Sequence, residues 1–107
     1  MAILAGHKVD EVLLRMSGWH RRGHELVKIY PTRTRADAVR LAGRLAAELE
    51  PLSHEPTVGL RIDAARVHVD LHTPDEGGIT EADIELAGRL DRVAQSSPED
   101  TRAPFGA

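Results

Sequence analysis

Side chains able to move protons cluster in two stretches of this chain. In RVHVDLH (residues 66–72), His68, Asp70 and His72 alternate with Val67, Val69 and Leu71, and Asp75 follows closely. Upstream, Glu50, His54 and Glu55 lie in a short polar segment that ends at Pro56. Imidazole titrates near neutral pH and works through either ring nitrogen, so His54 and His72 are candidates for general acid/base chemistry. A metal is the competing use of such residues. Neighbouring alternate positions can share an ion, but positions 68 and 72 stand about 13 Å apart along a straight strand, so the three do not converge on one zinc. The sequence therefore predicts no metal. The chain also has no cysteine, which excludes a thiolate nucleophile, Cys-ligated zinc and a disulfide framework.

The elements that position these residues are readable from spacing. The 66–72 alternation is that of a strand with one dry and one wet face. It ends at Thr73-Pro74, where proline removes an N–H and biases Thr73 toward an extended conformation. Gly77-Gly78 allow a sharp reversal. Thr80 with Asp83 marks a helix start, and Ile84, Ala87 and Leu90 continue it, giving a helix over about 81–94. Earlier, Val9, Val12, Leu13 and Met16 fall at helical spacing, with Ser17-Gly18 as the stop. Residues 19–30 read as a hairpin turning at Arg22-Gly23 and closed by Pro31. Thr34 and Asp37 repeat the cap pattern before a long helix with an Ala38, Leu41, Ala42, Leu45, Leu49 stripe. Pro51 ends it, and Val58, Leu60 and Ile62 form a third strand. The order α-β-β-α-β-β-α predicts an α+β domain, a four-stranded antiparallel sheet with helices packed on one face. One domain is expected over 1–94, with residues 95–107, polar and bearing two prolines, as a disordered C-terminal tail.

Composition narrows the function classes. Of 107 residues, 41% are hydrophobic but only 3% aromatic, so the core must be built from Ala, Val, Leu and Ile. A modest core of this kind favours self-association. A net charge of −3 speaks against nucleic acid as a partner. The arginines at 33, 35, 40 and 44 are interleaved with Asp37, Glu48 and Glu50, as on a solvated helix face. The apolar run Ala2–Ala5 is too short for a signal core or a membrane span, so a soluble cytoplasmic protein with no membrane association is expected. Trp19 reads as the large core anchor of an aromatic-poor domain, and Asp83 as first-turn helix chemistry.

The layout and several motifs resemble the pterin-4a-carbinolamine dehydratase family across roughly Val9 to Val93. Gly18-Trp19 is similar to the Gly-Trp that opens that family's first strand. Glu50-x-x-x-His54-x-Pro56 resembles its signature loop, in which an acidic residue precedes a His-His-Pro triplet. Thr73-x-Asp75, Gly78-Ile79-Thr80, Asp83 and Leu86-Ala87 resemble its segment after the fourth strand and the start of its last helix.

The resemblance implies dehydration of 4a-hydroxytetrahydrobiopterin, the carbinolamine left by aromatic amino acid hydroxylases, to a quinonoid dihydropterin, with no metal or organic cofactor. It implies His54 as the principal acid/base, with Glu55, His72 and Asp75 as helpers standing in for the missing histidines, and Glu50, Pro56, Thr73, Pro74 and Asp83 on the substrate side. It also implies a homodimer or homotetramer. The chain departs from the pattern at three functional positions: Glu55 replaces the second histidine of the loop, Pro74 replaces the histidine after the fourth strand, and the aromatic late in the third strand is missing. Those losses frame an alternative: a non-catalytic dimeric binding or assembly module on the same fold, with a protein partner in place of a pterin.

Overall fold

The computed structural model describes residues 3–52, 56–74 and 77–99. Its elements are α1 (Gly6–Leu13), β1 (His20–Arg22), β2 (Glu25–Pro31), α2 (Arg35–Ala47), β3 (Thr57–Asp63), β4 (Arg66–His72) and α3 (Glu81–Gln95). The expected α-β-β-α-β-β-α order and α+β class are observed. The four strands form one antiparallel sheet in the order β1-β2-β4-β3, so each hairpin contributes one central and one edge strand.

Alternation decides which face is dry. Leu26 and Tyr30 on β2 and Val67, Val69 and Leu71 on β4 are buried, and Val58, Leu60 and Ile62 of β3 pack beside them. The helices close this face with Val9 from α1, Ala38, Leu41 and Leu45 from α2, and Leu86, Ala87, Leu90 and Ala94 from α3. The opposite face carries Glu25, Val27 and Ile29 beside His68, Asp70 and His72, and no helix covers it among the described residues.

The caps explain where two helices begin. Thr34 accepts from the Asp37 N–H at the start of α2. At α3 the capping box forms, Asp83 accepting the Thr80 N–H at 2.9 Å. The first helix differs from expectation: it starts at Gly6 and stops at Leu13 instead of reaching Met16. Ala5 provides no side-chain cap to mark its start, and beyond Leu13 the bonds tighten, Arg15 to Val12 and Met16 to Leu13. Trp19 lies just ahead of β1, buried in the core as expected. α3 runs to Gln95, and beyond it Ser97 and Glu99 are buried, with Arg44 pairing to Glu99 at 2.6 Å.

Two polar groups inside the dry face were not anticipated. Lys28 takes the β2 position between Leu26 and Tyr30, and Asp91 faces it from α3. Asp91 accepts from Lys28 Nζ at 2.6 Å, Tyr30 OH at 2.6 Å and Trp19 Nε1 at 3.0 Å. The ammonium also lies 4.8 Å from the Tyr30 ring centroid and 5.7 Å from that of Trp19, adding cation–π attraction. This knot ties the first hairpin to the last helix.

Candidate functional site

Register brings the two motif-bearing segments together. Thr57, the first residue of β3, pairs with His72, the last of β4. The start of β3 and the end of β4 thus meet at one end of the sheet. Thr73 bridges to Gly78, and Gly77 takes φ +69°, the left-handed conformation the reversal needs.

The predicted residues fall into three groups. His54, Glu55 and Asp75 lie outside the described residues. His72 is half-buried on the open face of the sheet, with its Nδ1 buried and lacking a hydrogen-bond partner among the described residues. Among the substrate-side candidates, Pro56 and Thr73 are buried, while Glu50 and Pro74 are exposed. Asp83 is fully buried, and its carboxylate accepts from Thr73 Oγ1 at 3.1 Å as well as from Thr80. That bond pins the residue after β4 to the first turn of α3. Asp83 is thus in contact with Thr73 and sets the path of the 73–80 segment, in keeping with its reading as helix-start chemistry.

His68 occupies the open face further along β4. Arg61 lies 3.1 Å from its Nδ1, and a guanidinium can only donate, so Nδ1 accepts and the proton of the neutral ring sits on Nε2. Burial holds the His68 pKa below its ordinary value; Arg61 and Arg66 push the same way, and Asp63 opposes them. The unfolded chain therefore takes up a proton at this residue before the folded one does. Stability declines as pH falls below the ordinary value of 6.5, and the full penalty is reached below the depressed folded pKa. His68→Gln is expected to flatten the acid side of the Tm-versus-pH curve relative to wild type. Parallel curves for the two proteins would contradict this.

Sequence reasoning missed Glu25 and Asp91. Glu25 precedes the apolar run of β2 and becomes a neighbour of His72 only once β2 is placed beside β4. Asp91 did leave a signal: with Ile84, Ala87 and Ala94 it follows the 3-4-3 spacing of a buried helix stripe.

Comparison with known proteins decides the family. The family model described as pterin 4 alpha carbinolamine dehydratase matches residues 3–93. The chain belongs to that family. A relative from Thermomicrobium roseum, named "Putative pterin-4-alpha-carbinolamine dehydratase", is 36% identical over 94 residues, covering 88% of this chain and 99% of its own. One of the same name from Natronomonas pharaonis is 35% identical over 89 residues, covering 80% and 92%. Among solved structures, a transcriptional coactivator/pterin dehydratase from Brucella melitensis superposes with a TM-score of 0.75. It has 22% identity over 85% of this chain and 97% of that one, a likeness that speaks for the fold. The protein is thus pterin-carbinolamine-dehydratase-like in family and in fold. No helix among the described residues is long and apolar enough to cross a membrane.

Proposed function

We propose that this protein dehydrates a pterin 4a-carbinolamine using its own side chains, with His54 as the principal acid/base. The observation that carries the reading is the Thr57–His72 pairing in a chain of this family, which sets the ends of the two motif segments side by side. The reaction needs one proton delivered to the leaving 4a-hydroxyl and one removed from a ring nitrogen. His54 serves the first need, and Glu55, His72 and Asp75 supply acceptors for the second. Glu50, Pro56, Thr73, Pro74 and Asp83 shape the substrate side, Asp83 by holding Thr73. The finer assignments belong to the same proposal: tetrahydrobiopterin as the pterin, no added cofactor, a homodimer or homotetramer, and a cytoplasmic setting.

Pro74 provides the test. It replaces the family's histidine after β4 and cannot transfer protons. Pro74→His is expected to raise turnover of freshly generated 4a-hydroxytetrahydropterin at least about tenfold, since a positioned acid/base is worth about 10²–10⁴. The site is exposed, so the exchange does not disturb the core. A variant that folds like wild type and gains nothing would contradict this placement of the substrate.

A further inference from the structure

On the open face of the sheet, Glu25 of β2 lies beside Asp70 and His72 of β4. One ligand-capable atom from each falls within 4.8 Å of the others, and all three residues are half-buried. We propose that Glu25, Asp70 and His72 form a binding site for a divalent transition-metal cation of the zinc type.

The argument begins with register. Val27 pairs with Asp70 and Leu26 with Leu71, so Glu25 and His72 come opposite one another at the end of the ladder. Asp70 and His72, two apart on one strand, project from the same face. The difficulty with a site drawn from β4 alone, that positions 68 and 72 are too far apart, is removed because the third ligand comes from the adjacent strand.

Two features point to a cation. The first is His72 Nδ1, buried without a hydrogen-bond partner among the described residues, a state that His68 Nε2 shares further along the strand. The second is the approach of two carboxylates on neighbouring strands, a like-charge arrangement that costs stability unless something positive lies between them. Arg22 reaches Glu25 at 3.6 Å, but it is a largely exposed partner at the rim. Gly59, the residue that pairs with Asp70 on the other side, gives that carboxylate its room. A Cβ there would stand 2.6 and 2.7 Å from the Asp70 carboxylate oxygens, so only glycine leaves that carboxylate its place over the sheet.

The donor set selects the ion. One imidazole and two carboxylates suit zinc and its first-row neighbours, and three protein ligands leave a position for water. Tetrahedral bonds of about 2.0–2.2 Å need ligand atoms about 3.3–3.5 Å apart, so closure asks for little more than an ångström of side-chain movement. Binding is the readout here, not turnover, and a cation held by His72 would compete with the acceptor role that the dehydratase reading gives the same imidazole.

The experiment is calorimetric titration of zinc chloride into chelator-treated, dialysed protein, with wild type beside Asp70→Asn, His72→Gln and the control His24→Gln. The expected result is one zinc per chain with a dissociation constant tighter than about 100 µM. Asp70→Asn and His72→Gln should each weaken it at least about tenfold, while His24→Gln leaves it unchanged. Circular dichroism verifies that each variant is folded, and two separate ligand variants guard against one failing to fold. Absence of stoichiometric binding by the wild type, or binding by both ligand variants equal to wild type, would overturn the proposal.

Discussion

Replacing Asp91 with alanine is expected to cost about 3–5 kcal/mol of folding free energy, because it removes the counter-charge of a buried ammonium. The Lys28 side chain is 1% exposed and that of Asp91 14%. Their separation of 2.6 Å, with donors from Tyr30 and Trp19 on the same carboxylate, makes this a satisfied buried network. Taking away the carboxylate leaves a positive charge in the interior and two aromatic donors to be rehoused. In a chain of this size the loss corresponds to a fall in Tm on the order of 10–20 °C. Asp91→Asn should cost less, since an amide oxygen in the Oδ1 position still accepts from Lys28 and Tyr30, although its NH2 group then faces the Trp19 N–H. The double replacement Lys28→Met with Asp91→Leu should recover much of the loss, since the charge and its partner then leave together. Urea unfolding of the four proteins measures all three effects. An Asp91→Ala loss below about 1 kcal/mol would show that water or another group compensates the charge.

The second large effect is expected at His54. His54→Ala should lower dehydratase turnover by about 10²–10⁴, the usual worth of a positioned acid/base, while leaving the unfolding curve within experimental error of wild type. The resemblance carries this assignment: Glu50-x-x-x-His54-x-Pro56 keeps the first histidine of the family's signature loop. Pro74 carries no titratable group, and Glu55 offers a carboxylate, assigned here as an acceptor. His72→Ala should reduce turnover less, about tenfold or below, since the proposal assigns it a helping part. Equal losses in both variants would instead make the two histidines a single catalytic unit.

Much of the fold was legible because local chemistry and global architecture agree here. Thr34-x-x-Asp37 and Thr80-x-x-Asp83 announce helices that begin one residue later, and the alternation over 66–72 matches the burial of Val67, Val69 and Leu71. The first helix was misplaced because Ala5 and Gly6 carry no capping side chain, so apolar spacing alone located it, several residues late. The candidate site was legible only in part. Which segments would meet followed from the motif order, but which side chains face each other depends on strand register, which no single strand reveals. Glu25 is the clearest case, since nothing near it in the chain marks it as a neighbour of Asp70 and His72. The Lys28–Asp91 pair was missed as well, although it left a trace in the pattern. Each charge interrupts an apolar pattern in its own element, and two such interruptions in a small domain are best reconciled by facing one another.

The central claim is catalysis by a reduced histidine set, and turnover tests it most directly. Freshly generated 4a-hydroxytetrahydropterin should be followed to quinonoid dihydropterin with and without the wild-type protein, with spontaneous dehydration subtracted. The account predicts a rate well above the uncatalysed one, proportional to protein concentration. A folded protein that leaves the spontaneous rate unchanged would contradict it.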